Sequence, residues 1–417
     1  MKAPREATAS PCVVRRLAWA EEEVGSIAMP RGALRVVMGF GSGLTRRRDD
    51  PPGTFWAVGD RGPNLKAETL VERYGLERMR EIEHADGAKV MPRLDLGPAI
   101  AKLRVVDDRV ELLEVVRLTD AEGAPVSGLP VPQGEHARCE PAFDLDGCLL
   151  EPDPSGLDTE GIAALADGSF LVGDEFGPSL VRLDPQGQVE ARFVPRGVTL
   201  EGARYPVRPC LPAIAAKRQI NRGFEAIALS PDGCWLYLAF QSPLAHPDEA
   251  AHDGACHVRL WRLDAATLEV AGQYLYLLDA PESFARDMAE GPLARNDLKV
   301  SELACLGEDR LLVLERGSHT TKIYEVRLSD DRLLAPEHLD LATRPTVEEL
   351  SCQGSPLPQL AKALLFTSDD APEIGPDLEG MVVLSSSELL LVNDNDFGVE
   401  GAETGFWVVE FANPELG

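Results

Sequence analysis

Four glutamates occupy matching positions in a degenerate repeat, each at the start of a short apolar run. They are Glu160, Glu225, Glu302 and Glu379. In each copy a turn and a second apolar run follow, and the second run ends in another polar cluster. These clusters contribute Asp174, Glu175, Gln241, Glu315, Arg316 and Asp394. Oxygen ligands that recur in this way indicate a calcium site, because Ca²⁺ accepts many oxygen atoms in flexible geometry.

The repeat has five copies along the chain. They begin at Gly39, Asp158, Arg222, Lys299 and Pro376. The first copy is the faintest, with Ser42 where the others carry glutamate and Asp60-Arg61 at the end of its second run. Asp-Gly turns at 167–168 and 232–233 are strong signals of a hairpin. Each copy therefore predicts a two-stranded antiparallel hairpin.

Further strand patterns follow the hairpins, for example at 179–194 and 259–277, so that two hairpins in sequence form a four-stranded sheet. A radial set of such sheets is the architecture that suits a repeat of this kind. We therefore predict an all-β fold, a β-propeller of four-stranded blades with five repeats, as a single domain over 1–417. An unrecognised sixth blade between Ser42 and Glu160 is the alternative.

Some segments depart from the repeat. Only one clear strand, at 405–411, follows the last hairpin, and we expect the N-terminal segment 13–20 to supply the missing outer strand of that blade. Segment 64–92 has helical spacing and predicts an excursion over one face. Segment 343–375 does not resemble blade strands either, and its residues 358–366 favour a second short helix.

Antiparallel pairing explains why these acids would form one site. The first residue of a strand and the last residue of its partner lie at the same end of a hairpin. All blades would then present oxygen atoms at one mouth of the channel, where so many carboxylates repel one another without a cation. The predicted cofactor is Ca²⁺, with Mg²⁺ as an alternative, and the predicted ligands are Glu160, Asp174, Glu225, Glu302, Glu315, Glu379 and Asp394. Zinc is disfavoured, because the seven histidines show no HxH or HExxH spacing.

The catalytic candidates are Glu160, Glu175, Arg61 and Arg316. The sequence contains no GxSxG elbow, so the expected nucleophile is a metal-activated water whose proton passes to a nearby glutamate. Two roles are open for the arginines: capture of a phosphate or carboxylate by the planar guanidinium, or ion pairs that hold neighbouring acids in place. Each acid likewise has a structural alternative, in which it ends a hairpin, accepts loop N–H groups or stays solvated.

The charge of the chain excludes some classes of partner. Lys and Arg number 41 against 69 Asp and Glu, which gives a formal net charge of −28. Such a surface repels phosphate backbones and anionic lipid, so we expect neither nucleic acid nor membrane as a partner. The expected partner is a small-molecule ester or phosphate substrate, taken up by a monomer.

The compartment stays open at this stage. No apolar run is long enough for a transmembrane helix, and the N-terminus lacks the apolar stretch of a signal peptide. We expect a periplasmic or secreted protein if a leader has been removed, and a cytoplasmic one otherwise. Among the eight cysteines, Cys139 and Cys148 flank a loop and form a candidate disulfide.

Several longer motifs occur together in a fixed order. They include GFGSGLTRRRDDPPGTFWAVGDRG from Gly39, FDLDGCLLEPDPSGLDTEGI from Phe143, LLVLERGSHTTKIYEV from Leu311 and LVNDNDFG from Leu391. Together they resemble the phytase-like family, named for an "esterase-like activity of phytase" domain, over nearly the whole chain. The resemblance implies a propeller, export in many bacterial members and hydrolysis of phosphoesters. By position, the matching motifs contain Glu160, Asp174, Glu175, Glu225, Glu302, Glu315, Glu379 and Asp394 as site candidates.

Three hypotheses of function follow. The first is a calcium-dependent hydrolase of phosphate esters or related esters, with its active site in the acidic top funnel. The second is a non-enzymatic, calcium-stabilised propeller that binds a ligand or a protein. The third is a lactonase-type propeller, in which Asn221 and Asn395 would join the ligands of a funnel metal.

Overall fold

Strands form most of the regular structure in the computed structural model, which describes residues 9–85, 87–134, 139–352 and 354–417. Up to residue 150 the strands are β1 (Cys12–Leu17), β2 (Glu23–Ala28), β3 (Ala33–Val37), β4 (Gly43–Thr45), β5 (Thr54–Val58), β6 (Leu65–Lys66), β7 (Lys89–Val90), β8 (Ala99–Val106), β9 (Arg109–Arg117) and β10 (Ala142–Phe143). The next strands are β11 (Thr159–Ala164), β12 (Phe170–Asp174), β13 (Ser179–Leu183), β14 (Val189–Pro195), β15 (Val207–Leu211), β16 (Ala226–Leu229), β17 (Trp235–Ala239), β18 (His257–Asp264) and β19 (Val270–Leu277). The last are β20 (Lys299–Gly307), β21 (Arg310–Arg316), β22 (Thr321–Arg327), β23 (Lys362–Thr367), β24 (Leu378–Val383), β25 (Glu388–Asn393) and β26 (Phe406–Phe411). A mostly β architecture, as predicted, is confirmed.

The helices in the described part of the chain are short. The α-helices are α1 (Ala67–Glu72), α2 (Glu249–Gly254) and α3 (Ala285–Glu290). Turns of 3₁₀ helix cover Glu77–Glu81, Ala213–Lys217, Pro281–Ser283, Arg295–Asp297, Asp330–Arg332, Pro336–Leu339, Ser368–Asp370 and Asp396–Gly398. Among these described residues, no helix has the length and apolar character needed to cross a bilayer.

Each copy of the repeat supplies the first two strands of a separate sheet, so the predicted hairpins are confirmed in all five copies. Four of the sheets have four strands, and the sheet that begins at β11 has five. The strand orders are β4-β5-β8-β9, β11-β12-β13-β14-β15, β16-β17-β18-β19, β20-β21-β22-β23 and β24-β25-β26-β1. Within these sheets β14 and β15 pair in parallel, and the other pairs are antiparallel.

The first strands of the five sheets contact one another in cyclic order. β4 contacts β11 and β24, and the contacts continue from β11 to β16, from β16 to β20 and from β20 to β24. Glycine allows this close approach: an added Cβ would lie 1.8 Å from the Glu225 main-chain oxygen at Gly161, and 2.6 Å from the Glu160 main-chain oxygen at Gly43. At Gly43 and Gly161 the spacing between sheets therefore requires glycine.

The N-terminal segment completes the last sheet, as predicted. β1 pairs antiparallel with β26, so that Cys12 lies opposite Phe411 and Leu17 lies opposite Phe406. The side chain of Leu17 is buried in the core between this sheet and the β4 sheet. The two ends of the chain are thereby held in one sheet.

Segment 64–92, predicted to be a helical excursion, contains α1 and a 3₁₀ turn. Its helical character is therefore confirmed. The same segment also contains β6 and β7, which form a small sheet with β10. The sequence left open a sixth blade between Ser42 and Glu160. The described residues of this range form the small sheet and the β4-β5-β8-β9 sheet.

The prediction of a second helix at 358–366 is wrong. Residues from Lys362 onward form β23, which pairs antiparallel with β22 as the fourth strand of its sheet. An isolated helix of this length is marginal, whereas the edge of β22 presents unpaired main-chain groups that a strand satisfies. The tertiary context therefore decides the structure of this segment.

The disulfide lies elsewhere than predicted. Cys256 and Cys352 are bonded, whereas Cys139 and Cys148 remain thiols. Cys139 is buried and Cys148 is exposed, so the two sulfur atoms lie in different environments. The bond ties the start of β18 to the loop that precedes β23.

Candidate functional site

An acidic cavity of about 300 Å³ opens where the first strands of the sheets begin. Its lining carboxylates are Asp60, Glu160, Glu175, Glu225, Asp377, Glu379, Asp394, Asp396 and Glu400. Its cationic side chains are Arg61, Lys66, Lys89, Lys299 and Arg316. The lining is completed by Asn64, Leu65, Asn221 and Gln241. The cavity is therefore densely charged, and acids outnumber bases.

The pairing register of the five hairpins explains how these side chains converge. The pairs Gly43–Val58, Gly161–Gly173, Ala226–Ala239, Glu302–Leu314 and Gly380–Val392 occupy equivalent places in the five sheets. The residues just before the first member of each pair are Ser42, Glu160, Glu225, Ser301 and Glu379, which we call the inner set. The residues two places after the second member are Asp60, Glu175, Gln241, Arg316 and Asp394, which we call the outer set. All five outer-set residues and three of the inner set line the cavity.

Seven of the residues predicted to be catalytic or metal-ligating therefore lie together in the cavity wall. They are Arg61, Glu160, Glu175, Glu225, Arg316, Glu379 and Asp394. Antiparallel pairing across separate sheets brings them to one end of the molecule, because strand starts and partner ends coincide there. Their catalytic and metal-binding roles stay predictions.

Glu302 does not line the cavity, because strand pairing places the fourth copy one residue away from the register predicted from the sequence. Ser301 is the inner-set residue of that copy, and Glu302 is equivalent to Gly161. A shift of one residue turns a side chain to the other face of a strand. The fully buried Glu302 instead accepts hydrogen bonds from Leu44 N at 2.9 Å and from its neighbour Leu303 N at 3.0 Å.

Asp174 and Glu315 are also directed away from the cavity, although each precedes an outer-set residue. Side chains alternate between the faces of a strand, so only the second residue of each polar pair faces the cavity. Asp174 forms a fully buried ion pair with Arg192 at 2.5 Å. Glu315 accepts hydrogen bonds from Tyr276 Oη at 2.6 Å and from Lys362 Nζ at 2.7 Å. Both acids therefore stabilise the fold in this structure, contrary to the prediction of metal ligands.

Among the described residues, two groups of acids could hold a metal ion, and Asp60 belongs to both. Carboxylate oxygens of Asp60, Asp158 and Glu160 lie within 4.8 Å of one another, and the same holds for Asp60, Asp394 and Asp396. The sequence analysis named Arg61 from this segment and did not select Asp60. The register signal was present, because Asp60 ends the second run of the first copy.

Burial and mutual repulsion raise the pKa values of Glu160 and Glu225 in the cavity wall. Burial, followed by the charges of Asp60 and Asp158, raises the pKa of Glu160 well above its usual value. Burial together with Glu379 and Glu175 raises the pKa of Glu225 to about 8. Positive charge placed among these groups would favour their ionised forms.

Arg61 is held by protein groups on several sides of its guanidinium. Its Nε donates to Asp158 Oδ1 at 3.0 Å, its Nη1 donates to Glu140 Oε2 at 2.9 Å and its Nη2 donates to Asn221 Oδ1 at 2.8 Å. The side chain is almost fully buried and lies over the Phe176 ring. These contacts match the second role considered for Arg61, in which it holds neighbouring acids in place.

Arg316 has a similar environment, and Lys299 lies opposite it in the β20–β21 pair. Arg316 donates to Ser301 Oγ at 2.9 Å and to Asp377 Oδ1 at 3.2 Å, and it also pairs with Glu379. Burial, followed by the charge of Arg316, lowers the pKa of Lys299 to about 8. Lys299 therefore stays largely protonated at neutral pH and brings positive charge to the acidic wall.

A sequence profile of the phytase-like family, described as "Esterase-like activity of phytase", matches residues 36–397. The chain belongs to the phytase-like family. The matched range contains every residue of the inner and outer sets. The resemblance noted from the motifs is thereby confirmed.

Known proteins similar to this phytase-like chain include a fungal one. An "Uncharacterized secreted protein" of Arthroderma benhamiae is 28% identical over 242 residues, which cover 49% of this chain and 44% of that protein. The alignment thus spans less than half the length of this curated relative.

Solved structures similar to the phytase-like chain have low sequence identity to it. A PQQ-bound aldose sugar dehydrogenase from Streptomyces coelicolor matches with 12% identity and a TM-score of 0.36, over 96% of this chain and 99% of that one. A calcium-binding regucalcin from Agrobacterium tumefaciens matches with 12% identity and a TM-score of 0.34, over 89% and 91%.

The phytase-like cavity also contains residues that sequence reasoning missed. They are Asn64, Lys66, Lys89, Lys299, Asp377 and Glu400. Several of these residues come from loops and from the 64–92 excursion, which carry no repeat signal. Lys299 and Asp377 are exceptions, since they lie in the repeat copies that begin at Lys299 and Pro376.

The lactonase-type hypothesis drew its support from Asn221 and Asn395 as ligands at the funnel. Asn221 lines the cavity, where its Oδ1 accepts the hydrogen bond from Arg61. Asn395 is buried elsewhere and donates to Met38 O at 3.1 Å and to Thr404 Oγ at 2.9 Å, while its Oδ1 accepts from Phe397 N. Asn395 therefore has a structural role in this phytase-like chain.

Proposed function

We propose that this phytase-like protein is a metal-dependent hydrolase that acts as a monomer on small-molecule esters, with phosphate esters as the favoured substrates. The observation that carries the proposal is the convergence of the outer set and three inner-set residues on one acidic cavity. Convergence of equivalent residues from separate sheets is a common way to build a ligand site, because loops and strand ends meet there.

The proposal includes the architecture. The five sheets would be the blades of one five-bladed propeller, which forms a single domain over 1–417. The cyclic contacts of the first strands support this arrangement, and so does the pairing of β1 with β26, which joins both chain ends in one blade. Propellers commonly place a binding site at the central channel, and the acidic cavity would occupy that position.

The residues of the cavity fit a divalent cation, with calcium as the favoured ion. Glu225 Oε2 and Gln241 Oε1 are buried and lack a hydrogen-bond partner among the described residues. Such oxygen atoms are costly to bury unless a donor or cation satisfies them. Asp60 would hold the ion, either with Asp158 and Glu160 or with Asp394 and Asp396, because the carboxylate oxygens of each group lie within 4.8 Å of one another. When bound, a divalent cation polarises an ester or phosphoryl oxygen and makes a water a better nucleophile near neutral pH.

Glu175 would take the proton of the attacking water. Gly223 N donates to its Oε1 at 3.1 Å, which orients the carboxylate. Burial raises the pKa of Glu175, so the group is a stronger proton acceptor than an exposed glutamate. Lys89 and Lys299 would offset the negative charge of a phosphate ester, and Arg61 and Arg316 would hold the acids in position.

Activity measurements on two variants test this division of roles. Purified protein is assayed on phosphomonoesters, phosphodiesters and lactones with calcium, with magnesium and with a chelator. Glu175→Gln should lower kcat by about 100-fold or more, because a positioned general base contributes this much, and should keep the metal-dependent rise in melting temperature. Asp60→Asn should lose both the activity and that rise.

Matched controls are Glu410→Gln and Asp108→Asn, which change exposed acids away from the cavity. Both should retain activity and the effect of the metal. Absence of turnover on every substrate by metal-loaded wild-type protein would contradict the proposed hydrolase.

A second candidate is a calcium-stabilised propeller that binds a ligand without catalysis. The contacts of Arg61 and Arg316 favour it, since protein oxygens already occupy much of both guanidinium groups. Metal-dependent stabilisation without turnover in the same assay would support this second function.

The proposed compartment is an oxidising one outside the cytoplasm. The Cys256–Cys352 bond supports it, because disulfides persist mainly in oxidising compartments. The Arthroderma benhamiae relative, named as a secreted protein, also supports it. Alkylation and mass measurement of natively expressed protein should give two additional reactive thiols after reduction. Full reactivity of both cysteines before reduction would contradict the placement.

A further inference from the structure

A second pocket lies at the opposite end of the same five first strands, and we call it the far pocket. It has a volume of about 570 Å³. Its walls include Leu44 of β4, Ala164 of β11, Ile227 of β16, Leu303 of β20 and Met381 of β24. Glu160 and Ala164 are four residues apart in one strand, so the acidic cavity and the far pocket are separated by about 13 Å. The far pocket is therefore distinct from the site described above.

The chemistry of the far pocket differs from that of the acidic cavity. Its walls are mainly aliphatic, and its volume lies within the range of about 300–1,000 Å³ that is typical of small-molecule pockets. The run Arg46-Arg47-Arg48 lies at one side, accompanied by the two carboxylates Asp49 and Asp232. Asp232 accepts hydrogen bonds from Ser230 Oγ at 2.6 Å and from Cys234 N at 3.0 Å, so its charge is already stabilised by the hairpin turn.

The first two arginines are fixed by main-chain carbonyls. Arg46 Nη1 donates to Val383 O at 3.1 Å and to Leu384 O at 2.8 Å, and its buried Nε has no hydrogen-bond partner among the described residues. Arg47 Nε donates to Leu165 O at 3.2 Å, and its guanidinium lies 4.3 Å from the centre of the Phe170 ring. Bonds to carbonyls orient Arg46 without neutralising its positive charge, whereas the charges of Asp50 and Asp167 partly offset that of Arg47.

The third arginine completes an anion-attracting edge beside an apolar pocket. Arg48 is exposed, in a chain whose formal net charge is −28. Aliphatic walls favour a hydrocarbon body, and fixed guanidinium groups at the edge favour a carboxylate. We propose that the far pocket binds an aliphatic monocarboxylate, with its chain among the aliphatic walls and its carboxylate at Arg46 and Arg48.

Calorimetric titration with dodecanoate below its micelle concentration tests the proposal, in a calcium-free buffer that keeps the probe soluble. We expect binding at one site per chain. Each methylene removed from the probe should raise Kd by about fourfold, because the burial of one CH₂ group strengthens binding by about that factor. Replacement of the carboxylate by an alcohol, as in 1-dodecanol, should raise Kd by about tenfold.

Variants locate the site. Ala166→Trp places a large ring at an exposed position of the pocket wall, and should weaken dodecanoate binding at least tenfold without disturbing the core. Arg48→Gln should weaken it by about threefold, as expected for an exposed charge pair. Arg208→Gln changes an exposed arginine outside the pocket and should leave Kd unchanged, and so should Asp60→Asn in the acidic cavity.

Several outcomes would overturn the proposal. These are absence of dodecanoate binding to wild-type protein, equal affinity for 1-dodecanol, and unchanged affinity in Ala166→Trp. A dimer in solution that dissociates in Ala166→Trp would show that a second copy of the chain covers the pocket instead. Because the probe carries no ester, failure here leaves the proposed hydrolase untouched.

Discussion

At the scale of single residues, Asp60 has the most central place in the acidic cavity. It contributes an oxygen to both groups of acids that could hold a cation, and it occupies the outer-set position of the first sheet. The neighbouring Arg61 pairs with Asp158 and Glu140 and so fixes the acids around it.

Two of the acids that are directed away from the cavity, Asp174 and Glu315, form ion pairs with cations of the fold. Glu315 contacts Lys362, and the same lysine lies 2.7 Å from Asp279. Burial alone would raise the pKa of Asp279, but Lys362 and Lys322 outweigh burial and lower this pKa to about 2. Ionised Asp279 therefore stabilises the folded state above the usual carboxyl pKa, and this contribution is lost as the pH falls toward 2.

The substitution Asp279→Asn should lower the free energy of unfolding by about 2 kcal/mol at pH 7. The difference from wild type should shrink by about 1 kcal/mol at pH 3, where the unfolded state has become largely protonated. Urea denaturation at the two pH values measures this change. A difference that stayed constant or grew at pH 3 would show that the ion pairs do not stabilise the fold as described.

At the scale of strands and sheets, close packing of the first strands requires glycine at position 161, directly after Glu160 of the inner set. An added Cβ at Gly161 would lie 1.8 Å from a main-chain oxygen that cannot move independently of its sheet. Gly161→Ala should therefore destabilise the protein by about 1–3 kcal/mol, the usual cost of overpacking.

Thermal or urea unfolding of Gly161→Ala measures that cost. Gly254→Ala in α2 is the matched control, since an added Cβ there meets no atom within 4 Å. It should be neutral or slightly stabilising, because alanine favours a helix more than glycine does. Equal stability of the two variants would refute the proposed packing constraint.

Pairing of β1 with β26 holds the N-terminal segment in the last sheet. Leu17→Ala removes a buried side chain from this strand and should lower the free energy of unfolding by about 2–5 kcal/mol. Val13→Ala, in the same strand but 67% exposed, should change stability by less than about 0.5 kcal/mol. Urea unfolding of both variants tests whether β1 is an integral strand, and similar small effects would contradict it.

The sequence predicted the hairpins and the N-terminal strand because both depend on local turn signals and apolar runs. It misplaced Glu302, because two candidate registers of the fourth copy differ by one residue and only strand pairing separates them. It also misread 358–366 as a helix, since the free edge of β22 that captures this segment is not visible in a local pattern. The cavity residues from loops could not be predicted, because their approach depends on the whole fold.

At the scale of the whole molecule, the five first strands connect two chemically different ends. One end carries the acidic cavity, and the other carries the aliphatic far pocket with its three arginines. The formal net charge of −28 gives no hint of this separation, because most of the acids lie on the solvated surface and do not reveal which of them converge.

Anomalous difference density from a crystal of the protein grown with calcium tests the central claim most directly. The account predicts a peak in the acidic cavity, at about 2.3–2.6 Å from carboxylate oxygens that include Asp60, and its loss in Asp60→Asn. A cavity without a peak at millimolar calcium, or a peak coordinated only by residues outside the inner and outer sets, would contradict the account.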